Sequence, residues 1–146
     1  MSYNPYSLEG KTILVTGASS GIGKATAVEC SKLGAGVVIT GRDEKRLSDT
    51  FSLLQGDSHI QLVADLGKEE DLSLLVNRLP ALDGIAHIAG IVKTIPVTFL
   101  KKQDMQHLFD VNFFAPTLLT TGLLKQKKIR KPSSIVFISS IEGPLT

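Results

Sequence analysis

The eight residues Thr16-Gly17-Ala18-Ser19-Ser20-Gly21-Ile22-Gly23 have the composition of a chain that turns tightly around an anion. Their glycines fall in the order G-x-x-x-G-x-G. Gly17 permits a sharp turn out of a strand, Gly21 lets main chain approach a pyrophosphate, and Gly23 lets the next helix pack close to a sheet. Amides at a helix start carry roughly half a positive charge from the helix dipole, which favours an anionic group there. Ser19, Ser20 and Ile22 complete the turn. A tight turn with no ligand also uses glycines. The context favours a ligand, because the loop follows an apolar run that reads as a strand and opens a segment of helical period. A second such run ends in Thr40-Gly41-Arg42. Dinucleotide sites that prefer an unphosphorylated ribose place an acid there to hold the 2′-hydroxyl. Gly41 stands in that place, and the Arg42 guanidinium beside it is suited to a 2′-phosphate. The pattern therefore predicts NADP over NAD, with Asp43 as a carboxylate able to compete for Arg42.

These residues need a scaffold, and the hydropathy pattern supplies one. Thr12–Thr16, Val37–Thr40, Ile60–Ala64, Gly84–Ile88 and Ile135–Ser139 read as strands, several of them apolar enough to be buried on both faces. Between them lie segments of helical period: Gly23–Leu33 with Gly34 as its cap, Glu44–Leu54, Lys68–Leu79, and a long stretch over Lys102–Gln126. Pro116 falls inside the last of these and predicts a kink or a local break in hydrogen bonding. Alternating strands and helices give an α/β fold, a Rossmann-like doubly wound parallel sheet with helices on both faces and the first strand near its centre.

Composition narrows the function classes. The chain has 146 residues, 42% hydrophobic and 21% charged, as expected of one globular domain. No stretch offers the ~20 apolar residues of a membrane span, and the amino terminus lacks a signal-peptide layout. The single cysteine, Cys30, fits a reducing compartment, so the expected location is cytoplasmic. Of 16 basic residues, five lie between Lys125 and Lys131, without interleaved aromatics. That patch reads as a solvated helix end whose lysines complement the dipole, not as a nucleic-acid surface. His59, His87 and His107 are scattered and predict no metal site.

The string TGASSGIG at 16–23 resembles the cofactor motif of the short-chain dehydrogenase/reductase family, and the likeness extends from about Leu8 to Gly143. The resemblance implies NADP(H) as cofactor and hydride transfer to or from a small-molecule carbonyl or alcohol. It also implies a homo-dimer or homo-tetramer for the full-length protein. Ala64-Asp65-Leu66 matches the segment that touches adenine in that family. His87-Ile88-Ala89-Gly90 keeps only the Ala-Gly half of the family's Asn-Asn-Ala-Gly. Ala89 and Gly90 would let the chain pass close to the nicotinamide, and His87 replaces an asparagine that supports the central sheet. Asn112 matches the family's helix asparagine, linked through water to the catalytic lysine, a role that can coexist with capping a kink before Pro116. Ser139-Ser140-Ile141-Glu142-Gly143 resembles the serine motif and places the catalytic hydroxyl, which polarises the substrate oxygen, on Ser140.

The family's proton donor, the tyrosine of Tyr-x-x-x-Lys about a dozen residues past the serine, has no counterpart here. Tyr3 and Tyr6, the only tyrosines, precede the first strand. Residues 1–146 are therefore expected to form a dinucleotide-binding domain that lacks the C-terminal part of the family fold. Little turnover of their own is expected, with the fifth strand left as a bare edge. Two further readings stay open. One is a catalytically inactive dinucleotide-binding or scaffold protein. The other is a member of the family's epimerase or dehydratase branch, whose usual T-G-x-x-G-x-x-G this loop does not match.

Overall fold

Each apolar run becomes a strand, and the five strands form one parallel sheet. A computed structural model describes residues 3–140. In chain order they form β1 (Thr12–Thr16), α1 (Gly21–Lys32), β2 (Gly36–Gly41), α2 (Glu44–Phe51), β3 (Ile60–Val63), α3 (Glu69–Arg78) and β4 (Leu82–His87). A single 3₁₀ turn (Val97–Phe99), α4 (Lys102–Phe109), a π-helical segment (Asp110–Phe114), α5 (Ala115–Lys125) and β5 (Ile129–Phe137) follow. The sheet order is β3-β2-β1-β4-β5, which puts β1 at the centre as the alternation predicts.

Successive side chains of a strand point to opposite faces, and the two faces build separate cores. Leu14, Val38, Leu62 and Ile85 pack with Leu72, Leu75 and Val76 of α3 and with Leu119 and Leu123 of α5. On the other face Val15, Val37 and Ile39 pack under Ala27 of α1 and Leu47 of α2. This double winding holds the strand ends rigidly where the loops leave them.

The long helical stretch is interrupted where Pro116 predicts. Pro116 offers no N–H to the carbonyl of Asn112, and the ladder widens over Asp110–Phe114 until the Ala115 amide reaches Asp110. β5 is longer than its apolar run. Its first part pairs only at Leu82↔Ile129, and regular pairing resumes at Gly84↔Ser134, with the register slipping around Pro132, which has no amide to give. As the edge of the described sheet, it leaves Val136 and Phe137 half exposed.

The basic patch differs from its sequence reading. Lys125 does sit in the last turn of α5. Lys128, however, donates its ammonium to the carbonyls of Val76 and Asn77 at 2.7 and 2.9 Å, capping the end of α3. Arg130 pairs with Asp83 at 2.8 Å. Lys128 and Arg130 therefore join neighbouring elements, while Lys125 stands at the end of its own helix.

Candidate functional site

At the carboxyl ends of the strands, where the sheet order reverses between β1 and β4, the loops enclose a cleft of about 440 Å³. This crevice is where doubly wound sheets take their ligands. Every residue singled out for a cofactor lines it: Gly17, Ser19, Ser20, Gly21, Ile22, Gly23, Arg42, Asp65, Leu66, Ala89 and Gly90.

The glycine loop is built on close approaches. Gly17 has φ +65°, and a Cβ there would stand 2.7 Å from the Ala89 Cα. A Cβ on Gly23 would stand 2.1 Å from the Gly17 carbonyl oxygen, so α1 and the turn touch main chain to main chain. Gly21 is different: its φ is +54°, but a Cβ would meet nothing within 4 Å. Its free side is the cleft. Ser20, at the N-cap of α1, makes no side-chain bond to the helix, and the first turn has no acid. The first-turn amides thus remain suited to an outside acceptor.

Beyond β2, on the side of the cleft that Ser19 adjoins, α2 begins. Asp43 caps it, its Oδ1 accepting the Arg46 amide at 3.0 Å. The carboxylate that threatened to compete for Arg42 is thereby engaged by main chain, and among the described residues Arg42 forms no ion pair. Asp65 shapes the loop after β3: its Oδ1 accepts the Gly67 amide at 3.0 Å, and its own amide donates to Asp71 at 2.7 Å.

The turn after β4 is held from two sides. The buried hydroxyl oxygen of Thr16 accepts the amides of Ile88 and Ala89, both at 3.0 Å. The Asn112 side chain accepts the Ile91 amide and donates to the Ile91 carbonyl, both at 2.8 Å. It ties this turn to the π segment rather than capping the kink. Asn112 lines an adjoining cavity of about 310 Å³ together with Thr16, His87, Ala89, Pro116 and Thr117. Ser140 lines neither space; it is exposed, three residues beyond β5. Ile141, Glu142 and Gly143, the rest of the serine motif, lie outside the described residues.

His87 is buried and stacks on Phe137, with ring centroids 4.8 Å apart. Thr120 gives its one hydroxyl proton to the Pro116 carbonyl, so it accepts from His87 Nε2, which fixes the neutral tautomer. Burial pushes the His87 pKa down to about 4. Between pH 4 and its ordinary 6.5 the unfolded chain binds a proton that the folded chain refuses, so stability rises with pH across that window. Urea titrations should lose about 1–3 kcal/mol on going from pH 7 to pH 4 through this group, and His87→Gln should flatten the dependence. Asp83 and Asp104 have lowered carboxyl pKa values. Asp83 is held down first by the Thr12 amide, Asp104 first by its hydrogen bond from Lys93, and their contributions are lost only at still lower pH. An unchanged slope in His87→Gln would contradict the assignment.

Sequence pattern does not point to Arg46, to the two amides that Thr16 holds, or to the Asn112–Ile91 clamp. Among the described residues no helix is long and apolar enough to cross a membrane, and no cluster of acids, histidines and cysteine could hold a metal.

A family model described as short chain dehydrogenase matches residues 11–146. A 3-oxoacyl-(acyl-carrier-protein) reductase of Rickettsia felis is 35% identical over 136 residues, covering 93% of this chain and 56% of that protein. A short chain dehydrogenase of Escherichia coli, solved in complex with NADPH, superimposes with a TM-score of 0.82 at 33% identity, covering 94% of this chain and 62% of that one. The chain thus spans between half and two thirds of the length of these relatives.

Proposed function

The chain belongs to the short-chain dehydrogenase family, and from that premise we propose that it forms the dinucleotide-binding part of an NADP-linked oxidoreductase acting on a carbonyl/alcohol pair. One observation carries the reading: a single cleft joins an uncapped helix start, a left-handed Gly21 facing open space, and an Arg42 without an ion-pair partner among the described residues. The residues fit the ligand's parts in order. The α1 amides and Gly21 would hold the pyrophosphate, and Arg42 a 2′-phosphate. Asp65 and Leu66 would hold the adenine, with Ala89 and Gly90 toward the nicotinamide. The E. coli neighbour's NADPH supports the cofactor class.

When bound, the nicotinamide supplies or takes up a hydride. Ser140 is the hydroxyl we assign to hold the substrate oxygen, donating to it as negative charge develops. Asn112, whose side chain is committed to Ile91, is the residue we assign to the water-linked proton path that the family resemblance implies. Tyr3 and Tyr6 lie before β1, so residues 1–146 by themselves should bind dinucleotide without turning substrate over.

Titration with NADPH and NADH, followed by nicotinamide fluorescence, tests the reading. NADPH should bind about tenfold or more tightly than NADH, and Arg42→Ala should reduce that preference. A chain that bound neither nucleotide, or an Arg42→Ala that kept the preference undiminished, would overturn the proposal.

A further inference from the structure

We infer that Arg46 is a second guanidinium for the 2′-phosphate, so that cofactor choice rests on the Arg42–Arg46 pair; this depends on the dinucleotide reading above. Three features point to it. Arg46 stands four residues past Arg42 and lines the same cleft, on the wall formed by Gly41 and Asp43. It occupies the first turn of α2, where its own amide is fixed by the Asp43 carboxylate at 3.0 Å. Neither Arg42 nor Arg46 forms an ion pair among the described residues.

The arrangement gives Asp43 a specific part. An acid next to Arg42 would neutralise it and could itself recognise a ribose diol. Asp43 does neither with the Oδ1 that accepts the Arg46 amide, because that oxygen caps the helix. The cap fixes the main chain from which Arg46 projects, so the same bond engages the competing acid and anchors the second cation. Gly41 adds steric discrimination. A Cβ there would meet Ser19 Oγ at 3.3 Å and Leu47 Cδ1 at 3.4 Å, which leaves little room for the acidic side chain of an NAD-type site. It also puts the Ser19 hydroxyl at the same wall. A phosphate monoester carries between one and two negative charges near neutral pH, more than one guanidinium compensates. Two forks approaching from a loop and from a helix can share its three terminal oxygens.

The test uses 2′,5′-ADP and 5′-AMP, which differ only in the 2′-phosphate and need no turnover. Calorimetric titration of Arg46→Ala should show 2′,5′-ADP weakened about tenfold, with 5′-AMP changed by less than about twofold. Arg46→Lys should recover part of the loss, because a point charge replaces the fork. Arg46→Ala binding 2′,5′-ADP like wild type, while Arg42→Ala loses it, would overturn the inference and leave the proposed function standing. Equal weakening of both ligands would also overturn it, since the loss would not depend on the 2′-phosphate. A wild-type chain that bound neither ligand would overturn the underlying reading as well.

Discussion

Gly23→Ala should abolish dinucleotide binding and destabilise the chain by about 3 kcal/mol, the largest combined loss expected of any single methyl group in the protein. The added Cβ would stand 2.1 Å from the Gly17 carbonyl oxygen and 2.6 Å from the carbon that bears it, both main-chain atoms. No side-chain rotamer relieves such a contact. Either α1 withdraws from the turn or the turn moves off the sheet, and Gly17 cannot retreat because it already lies against the main chain of Ala89. For a chain of this length the loss corresponds to a fall in melting temperature of roughly 10 °C. Gly21→Ala is the informative partner. Its positive φ of +54° costs about 1 kcal/mol with a side chain present, but its methyl would project into open space. It should therefore melt near wild type and still bind NADPH poorly, since the methyl occupies the side from which an anion approaches the helix. Two glycines of one motif thus separate into one that holds the fold and one that leaves room for the ligand. Thermal melts and NADPH titrations of both variants check this. A Gly23→Ala that kept wild-type melting and affinity would mean that α1 shifts away without cost.

That division marks what the sequence makes legible. A glycine-rich turn between an apolar run and a helical period is local information, and so is a Gly-Arg pair at a strand end. Both put the cleft where it lies. The strands follow for the same reason: runs such as Ile13–Val15 and Val37–Ile39 have few other ways to leave water. Contacts between distant segments are not legible in this way. Thr16 reads as a β-forming residue, yet its hydroxyl holds amides more than 70 positions away. Arg46 reads as an exposed helix arginine, and only the return of the chain through the sheet places it on the wall of the cleft. Lys128 reads as one lysine of a basic patch, but its ammonium completes a helix 50 residues earlier in the chain. Asn112 was found by its resemblance to the family's helix asparagine, whereas its clamp on Ile91 depends on the π segment that the missing Pro116 amide permits. Pattern reveals elements, and pairing across the sheet assigns many of the polar side chains their work.

Thr16→Val is expected to be nearly as damaging as the glycine change, for a different reason. The two side chains have almost the same shape, so packing under the sheet is preserved and only the oxygen is lost. That oxygen is 1% exposed as part of Thr16, and it accepts the Ile88 and Ala89 amides. Removing it leaves two part-buried donors without their acceptor. An unsatisfied buried donor costs about 1–3 kcal/mol, so a loss of about 3 kcal/mol is expected in urea denaturation. Binding should suffer beyond stability, because Ala89 and Gly90 line the cleft and their turn hangs between Thr16 and the Asn112 clamp. With one support gone the turn can swing on the other. NADPH affinity should therefore fall about tenfold even at temperatures where the variant is fully folded. Thr16→Ser separates the two contributions: it keeps the acceptor and removes one methyl, worth about 0.8 kcal/mol, and should bind NADPH like wild type. If Val and Ser at this position behaved alike, the two amides would be finding another acceptor, and Thr16 would be a packing residue rather than the post that holds the nicotinamide side of the cleft in place.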